Sequence, residues 1–243
     1  PAASSRYRKH GVYVVIGGAG GIGTAWSRYM IEHYQAQLIW IGRRSIDAEI
    51  RQKLDTLAQI GPAPRYIQAD AGNLAALHAA YDDIKRSHQQ IHGVIHSAIV
   101  LQDQSLANMD EERFRAGLSA KVDTSVCLAE VFQHEELDFA VFFSSAIAFE
   151  KVPGQSNYAA GSTFADALAR QLAKTWSCTV KLVNWGYWGS VGIVSDAAYQ
   201  QRMARAGLGS IEPDEGIAAL DRLLNSAIDQ MVVIKTIKPA ETL

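Results

Sequence analysis

The sequence predicts an α/β fold, in which a doubly wound, mostly parallel sheet of about seven strands carries helices on both faces. Two observations support this fold class. Short apolar runs alternate along the 243 residues with longer segments whose apolar residues recur at helical spacing. The first apolar run, VYVVI at 12–16, is followed at once by a glycine-rich turn and then by a helical pattern. Such alternation builds a parallel sheet that is covered on both faces.

Each predicted strand is short, apolar and bounded by polar or turn-forming residues. The predicted strands are 12–16, 37–41, 65–69, 93–96, 139–143, 178–183 and 231–234. In a doubly wound sheet, the residues that follow the strands meet at one edge, where ligands bind. The groups expected at this edge are the glycine turn, Arg43, Arg44, Asp70, His96, Ser144, Ser145 and Asn184.

Helices are predicted between the strands from their apolar periodicity. Ser45 is expected to cap a helix that carries Ile46, Ile50, Leu54 and Leu57 on one face. Asn108, followed by Glu111, resembles a capping box and is expected to begin a helical region that runs to about Phe132. The other predicted helices are 24–31, 74–84, 156–176, 195–206 and 213–224, with glycines at 207 and 209 separating the last two.

Composition limits the classes of function. The net charge of −2 gives no sign of a nucleic-acid or membrane surface. Cys127 and Cys178 belong to no CxxC or Cys/His cluster, so two reduced thiols and no metal are expected. No run is apolar enough to cross a bilayer, and the first ten residues lack the apolar core of a signal peptide. A cytoplasmic protein is expected.

The glycine turn predicts a phosphate-binding site. Gly18, Gly20 and Gly23 match the G-x-G-x-x-G spacing, between a strand and a helix as a dinucleotide fingerprint requires. Glycines allow a tight turn and a close approach of the backbone to a pyrophosphate, which then faces the helix N-terminus. The alternative is a glycine-rich loop that binds nothing.

The end of the second strand predicts which dinucleotide binds. An acidic residue normally holds the ribose 2′-hydroxyl of NAD there, but this strand ends in Gly42, Arg43 and Arg44. Two guanidinium groups suit a 2′-phosphate, so NADP(H) is favoured over NAD(H). Asp70 is placed to accept a hydrogen bond from the adenine amino group. The alternatives are a solvated basic turn and an ordinary turn aspartate.

Three further residues carry acid–base chemistry. Lys121 lies in the middle of an otherwise apolar helical stripe, where it either reaches water or serves a buried partner. Tyr158 follows Ser145 by thirteen residues, in the first turn of the next predicted helix. A tyrosine can protonate a developing alkoxide if a nearby cation lowers its pKa, which Lys121 could do. Ser145 could hold the carbonyl oxygen. Taken alone, Tyr158 is more typical of an ordinary helix residue.

These motifs together resemble a short-chain dehydrogenase/reductase, and within that superfamily the ketoreductase domain of a modular type I polyketide synthase. The resemblance covers about residues 11–234. It rests on GGAGGIG at 17–23, GRR at 42–44, Asp70, GVIHSA at 93–98, AKVD at 120–123, FFSS at 142–145, PGQSNYAA at 153–160 and NWG at 184–186. It implies a Rossmann-like fold with a small helical lid at about 186–210.

The resemblance also implies a reaction and its residues. NADPH would reduce a β-ketoacyl thioester on an acyl carrier protein, with neighbouring synthase domains as further partners and the isolated segment monomeric. Tyr158 would donate the proton, Ser145 would orient the oxygen, and Lys121 would tune Tyr158 and hold the ribose, with Ser162 as a fourth catalytic residue. The implied cofactor-binding residues are Gly17, Gly18, Ala19, Gly20, Gly21, Ile22, Gly23, Arg43, Arg44, Asp70, Ala71, His96, Ser97, Ala98, Lys121, Tyr158, Trp185 and Gly186.

The resemblance extends to the configuration of the product. Asp103 ends the loop LQD at 101–103, which matches the last Asp of a motif that accompanies a D-configured, B-type product, although Gln102 departs from it. Glu150 stands where the opposite type carries Trp, and Pro153 and Asn157 fit the D-type pattern. Tyr187 and Trp188 are expected in the lid over the substrate.

Two positions depart from the family pattern. Ser162 replaces a usual Asn, and Ile99 replaces a usual glycine beside the nicotinamide. Both give some weight to a catalytically inactive, cofactor-binding relic that serves as a scaffold; a free-standing reductase of another carbonyl is the second alternative. The same region is similar to ketoreductases of synthases whose acyltransferase acts in trans. Residues 1–10 are expected to be a linker from an absent structural subdomain, and 11–243 the catalytic domain.

Overall fold

The computed structural model describes residues 6–150, 152–191 and 197–237. Its strands are β1 Val12–Ile16, β2 Gln37–Gly42, β3 Arg65–Gln68, β4 Gly93–His96, β5 Phe139–Ser145, β6 Thr179–Trp185, β7 Leu208–Gly209, β8 Gln230–Val233 and β9 Lys235–Thr236. Seven of them form one parallel sheet in the order β3-β2-β1-β4-β5-β6-β8, and β7 pairs with β9 antiparallel. The predicted fold class, a doubly wound α/β sheet of Rossmann type, is confirmed.

The helices are α1 Gly21–Tyr34, α2 Ala48–Ala58, α3 Leu74–Ser87, α4 Glu111–Ser119, α5 Val122–Phe132, α6 Ser156–Thr175, α7 Ala197–Arg205 and α8 Pro213–Leu224. Two short 3-10 turns lie at Leu106–Asn108 and Ala146–Ala148. The strand order reverses beside β1, whose two neighbours are β2 and β4. This reversal opens a crevice at the carboxyl ends of the strands.

The core consists of two apolar layers, one on each face of the sheet. Strand residues alternate between the layers, so Tyr13 and Val15 pack on the side of α1, α2 and α8, whereas Val14 and Ile16 pack on the side of α3, α5 and α6. All five residues of β1 are buried. A strand that is apolar at every position therefore lies at the centre of the sheet, as parallel strands covered on both faces do.

Two predicted helix starts are wrong. Asp47, and not Ser45, caps α2, because its carboxylate accepts the backbone N–H of Ile50, and Ile46 precedes the helix with 43 % of its surface exposed. Asp110, and not Asn108, caps α4 by accepting the N–H of Arg113. In both cases an aspartate nearer to the first turn competes successfully for the free N–H groups.

The long helix expected to run to Phe132 is divided. α4 ends at Ser119 and α5 begins at Val122, with Lys121 in the cap position between them. The apolar stripe therefore does not lie along one continuous helix. The break places Lys121 at the start of α5, where its side chain is buried.

Within the described residues, no helix is long and apolar enough to span a bilayer. The same part of the chain holds no group of three His, Cys, Asp or Glu side chains placed to bind a metal. Cys127 and Cys178 are both free thiols, and burial raises the pKa of each.

Candidate active site

A groove of about 580 Å³ opens at the carboxyl ends of β1, β2 and β4, where the strand order reverses. Residues predicted to bind a dinucleotide line much of it. These are Gly17, Ala19, Gly20, Gly21, Arg43, Arg44, Asp70, Ala71, Ser97 and Ala98, and Ile99 also lines it. The topology thus brings together turns that follow four different strands, β1, β2, β3 and β4.

The conformation of the glycine turn lets a ligand in the groove approach the backbone closely. Gly17 has φ of +85°, a conformation that favours glycine. A Cβ on Gly18 would lie 2.3 Å from the Trp40 ring, and one on Gly23 would lie 2.9 Å from the Gly17 carbonyl oxygen. α1 then begins at Gly21 with no acidic residue in its first turn. The free N–H groups and positive dipole end of α1 therefore suit a phosphate.

The basic end of the groove contains two arginines, of which only one is paired with carboxylates. Arg44 pairs with Asp47 and Glu49, each with an N···O distance of 3.2 Å. The Arg43 side chain is exposed, and only its backbone carbonyl has a partner among the hydrogen bonds and ion pairs of the described residues, the Gln68 amide. Arg43 is therefore the guanidinium that is not already neutralised by a carboxylate.

The sequence analysis missed a third basic group in this region. Lys53 of α2 lines the groove and donates to the Ala19 carbonyl oxygen at 2.8 Å and to Glu49 at 2.5 Å. It lies one turn after Glu49, a spacing typical of surface ion pairs, so the sequence carries no signal that separates it from a solvated lysine. Lys53 ties the second helix to the glycine turn.

Asp70 occupies the predicted position beside the groove, but its carboxylate forms a hydrogen bond within its own turn. Its carboxylate accepts the N–H of Gly72 at 3.0 Å, which stabilises the turn after β3. The side chain remains exposed. Tyr66 closes the same side by donating to the Arg44 carbonyl oxygen at 2.7 Å.

Ser145 and Tyr158 meet at the carboxyl end of β5. The Ser145 hydroxyl lies close enough to Tyr158 to lower its pKa, but burial outweighs this effect and raises that pKa to about 12. The negative charges of Asp103 and Asp166 add to the increase. Ser145 also accepts the N–H of Ile147 at 3.2 Å, which holds its side chain at the strand end. Tyr158 is therefore a protonated phenol at neutral pH.

Lys121 is buried beneath this pair. Its ammonium donates to the Phe143 carbonyl oxygen at 2.5 Å, and burial lowers the pKa of Lys121 to about 8. The expectation that Lys121 lowers the pKa of Tyr158 is wrong for this structure, because desolvation dominates at Tyr158 and the ammonium is directed to the strand. The buried partner that the sequence left open is thus a backbone carbonyl.

Ser162 and His96 are two further buried polar residues of this region, and His96 lies beside Lys121. Burial, reinforced by the charge of Lys121, lowers the pKa of His96 to about 3, so the imidazole is neutral at physiological pH. The Ser162 hydroxyl is buried without a hydrogen-bond partner among the described residues. It lies on α6 between Tyr158 and Asp166.

The loop expected to control stereochemistry is fixed to the turn before α6. Gln155 donates to Asp103 at 2.7 Å, Asn157 donates to the Gln102 carbonyl oxygen at 3.2 Å, and the Gln104 N–H bonds the Gly154 carbonyl at 2.9 Å. Asn157 is fully buried, whereas Glu150 and Pro153 are exposed. Gln155 was not predicted, although the turn that contains it was.

Two residues expected at the cofactor or in the lid belong to the core instead. The Trp185 ring packs edge-on against Phe143 at 5.6 Å and against Trp188 at 5.1 Å between ring centroids. Trp188 packs on Gly216 of α8, where an added Cβ would lie 2.2 Å from the indole. Neither indole lines the groove. Because Gly216 has no side chain, the Trp188 indole fits into the space beside it.

The other expected lid residues are only partly described. Ser195 and Asp196 lie outside the described residues, and α7 follows at Ala197. Tyr187 contacts Tyr199 of α7 with ring centroids 5.3 Å apart.

Four of the predicted cofactor-binding residues do not line the groove: Gly18, Ile22, Gly23 and Gly186. Gly18 and Gly23 nevertheless shape the glycine turn.

The parallel sheet, the glycine turn and the Ser145–Tyr158 pair with a buried lysine define the class as a short-chain dehydrogenase/reductase. A family model described as the KR domain matches residues 11–190. The chain therefore belongs to the KR domain family, the ketoreductase domains of polyketide synthases.

Relatives and solved structures agree with this assignment. The chain is 58 % identical over 231 residues to polyketide synthase PksN of Bacillus subtilis, covering 95 % of this chain and 4 % of that protein. A ketoreductase domain from the bacillaene assembly line superimposes with a TM-score of 0.89 at 26 % identity, covering 96 % of this chain and 58 % of that one. An N-terminal ketoreductase from the macrolactin assembly line gives 0.88 at 28 %, with 98 % and 47 % covered. The chain thus spans a small part of its curated relative and roughly half of each solved ketoreductase.

The depressed pKa of Lys121 predicts how stability depends on pH. The lysine binds its proton less tightly when folded than when unfolded. The free-energy cost of burying the charged amine therefore lowers stability in full below pH 8 and disappears above about 10.4. Relative to Lys121→Met, the wild type should gain about 1–3 kcal/mol of unfolding free energy between these limits. Urea denaturation across the pH range measures this difference, whereas packing changes shift the whole curve without altering its slope.

Lys174→Met provides the matched control, since Lys174 is an exposed lysine of α6. Its difference from the wild type should stay within about 0.5 kcal/mol and be flat with pH. A flat difference for Lys121→Met as well would contradict the burial of a charged amine at this position.

Proposed function

We propose that this domain reduces a β-ketoacyl thioester, carried on an acyl carrier protein, to the β-hydroxyacyl thioester with NADPH. One observation supports this most directly. A half-buried, protonated tyrosine lies beside a serine at a strand end, next to a groove suited to a dinucleotide. Membership in the KR family supports the carbonyl as the reacting group. The trans-acyltransferase subtype stays a prediction.

The residues present fit a nicotinamide dinucleotide. The turn at 17–23 would hold the pyrophosphate, since Gly17, Gly20 and Gly21 line the groove without side chains and the first turn of α1 has free N–H groups. Arg43 would hold the 2′-phosphate, while Ser97, Ala98 and Ala71 would line the path between. When bound, the cofactor supplies a hydride to the β-carbon of the substrate.

The chain's own residues then manage the substrate oxygen. Ser145 donates a hydrogen bond to the carbonyl oxygen, and Tyr158 transfers its phenolic proton to that oxygen as negative charge develops there. The high pKa of Tyr158 keeps the proton in place until a stronger base forms. Lys121 holds the end of β5 through Phe143, and it would bind the cofactor ribose, as the family resemblance implies. Burial of these groups excludes water and strengthens their polar contacts.

A turnover assay tests this proposal. NADPH oxidation is followed with a short β-ketoacyl thioester or trans-1-decalone, comparing the wild type with Tyr158→Phe. The variant lacks only the proton donor, so turnover should fall by about 10²-fold or more while NADPH binding remains. If the wild type binds NADPH but oxidises none of it, the domain is an inactive relic. Near-native turnover by Tyr158→Phe would exclude this tyrosine as the acid.

The two arginines of the groove predict cofactor preference. Arg43→Ala should weaken NADPH binding on the order of tenfold and leave NADH binding nearly unchanged, because one charged hydrogen bond to the 2′-phosphate is lost. Arg44→Ala is the matched control with a smaller effect, since Asp47 and Glu49 already neutralise Arg44. Fluorescence titration measures all four affinities. Equal losses for both cofactors would remove Arg43 from the phosphate site.

The product should carry the D configuration. Hydride arrives from a fixed face of the cofactor, so the configuration depends on which side the thioester enters. Asp103 is held by Gln155 at the entrance, and Glu150 is too small and exposed to block it as an indole would. Chiral chromatography of the product from an unbranched substrate measures the ratio. Gln155→Ala, which releases Asp103 without removing its charge, should erode the D excess, and a predominantly L product from the wild type would overturn the assignment.

A further inference from the structure

Besides Lys121 and the neutral His96, this region holds a buried carboxylate that the mechanism above does not use. Asp166 of α6 has only 2 % of its surface exposed, and it lies two helical turns beyond Tyr158 on the same helix. Burial raises its pKa from the usual range, as expected for a carboxylate removed from water. A buried charge of this kind is costly unless hydrogen bonds and an opposite charge compensate it.

Neutral donors from two strands hold the Asp166 carboxylate in place. Asn184 of β6 donates to it at 2.8 Å, and Gln230 of β8 orients Asn184 by donating to its amide oxygen at 2.7 Å. The buried Ser144 hydroxyl lies close enough to the carboxylate to lower its pKa. Asn184 donates in addition to the Ser145 carbonyl oxygen at 3.1 Å. The carboxylate is thereby fixed to the strand end that carries Ser145.

The Asp166 network has few charged neighbours. Lys121 at the start of α5 and Arg170 of α6 are the cations that attract Asp166. Lys121 is faced by His96 from β4, which is neutral, and by Asp166 from α6, whose charge raises the pKa of Lys121 against the effect of burial. Tyr158 of α6 is protonated at neutral pH. Asp123 of α5 is exposed.

We propose that Asp166 is a positioning residue of the active site: a buried carboxylate, held by Asn184, that keeps the Lys121 ammonium charged and at the Phe143 carbonyl. The inference rests on the proposed role of Lys121. Ammonium and carboxylate are both tied to the end of β5, the ammonium directly at the Phe143 carbonyl oxygen and the carboxylate through Asn184, which also donates to the Ser145 carbonyl oxygen. Without the carboxylate, the protein would hold a cation in a desolvated place with neutral neighbours, and the ammonium would lose its proton more easily.

The test measures the titration of Lys121 directly by NMR of the ¹³Cε-labelled lysines in the cofactor-free protein. The Lys121 signal is the one that disappears in Lys121→Met. In the wild type its midpoint should lie near pH 8. Asp166→Asn keeps the shape of the side chain but removes the charge, so the midpoint should move to lower pH. An unchanged midpoint in Asp166→Asn would overturn the proposal.

Asp221→Asn is the matched control. Asp221 is a half-buried carboxylate of α8 that accepts the Tyr29 hydroxyl at 2.8 Å, in the layer on the other face of the sheet. Its loss should leave the Lys121 midpoint where it is in the wild type. A downward shift of the same size in Asp221→Asn would show a general loosening of the fold and would overturn the specific role of Asp166.

If Asp166→Asn does not fold, the wild type still decides the question. The ¹³Cγ signal of Asp166 should report an ionised carboxylate at pH 7, and a protonated Asp166 at that pH would overturn the proposal. Where turnover is measurable, KM for NADPH in Asp166→Asn should rise at a lower pH than in the wild type, with kcat less affected. Because the lysine titration needs neither cofactor nor turnover, failure of this proposal and failure of the proposed reaction give different results.

Discussion

A charged amine is held out of water at the carboxyl end of β5, and much of the site is arranged around the free energy that this costs. The Lys121 ammonium has the Phe143 carbonyl oxygen as its hydrogen-bond acceptor and a neutral imidazole beside it. Burial lowers the pKa of Lys121, so the ammonium is close to the pH at which it would lose its proton. Such groups persist only where the surrounding structure supports them, here the buried strands of the sheet centre and the carboxylate held by Asn184.

The order of the strands explains how residues far apart in the chain form one site. β4 lies between β1 and β5, so the glycine turn after β1 and the serine after β5 are separated by a single strand. His96 pairs with Ile16 on one side and with Phe142 on the other, which places it beneath both regions. The groove and the Ser145–Tyr158 pair are therefore two parts of one edge, and the topology requires them to be adjacent.

The sequence was sufficient where local pattern and the rules of parallel sheets decide the structure. Consecutive apolar residues and the glycine turn predicted the sheet, its crevice and the strand ends at the groove. The break at Lys121 was missed because the apolar periodicity continues across it. Asp166 was missed because a single aspartate on an alanine-rich helix resembles a solvated residue, and its burial depends on Asn184 and Gln230, which are distant in the chain. The core position of Trp188 likewise depends on the space beside Gly216.

The charges of the site fall into two groups that respond differently to solvent. Arg43, Arg44 and Asp70 are exposed at the groove, where salt at physiological concentration screens charges over about 8 Å. Lys121 and Asp166 are buried, and their mutual attraction is screened much less. Salt therefore acts on the recognition of a charged ligand while leaving the charge state beneath the Ser145–Tyr158 pair almost unchanged. The division follows from the fold, because the turns after β2 and β3 lie toward the outer edge of the sheet, whereas β5 lies within it between β4 and β6.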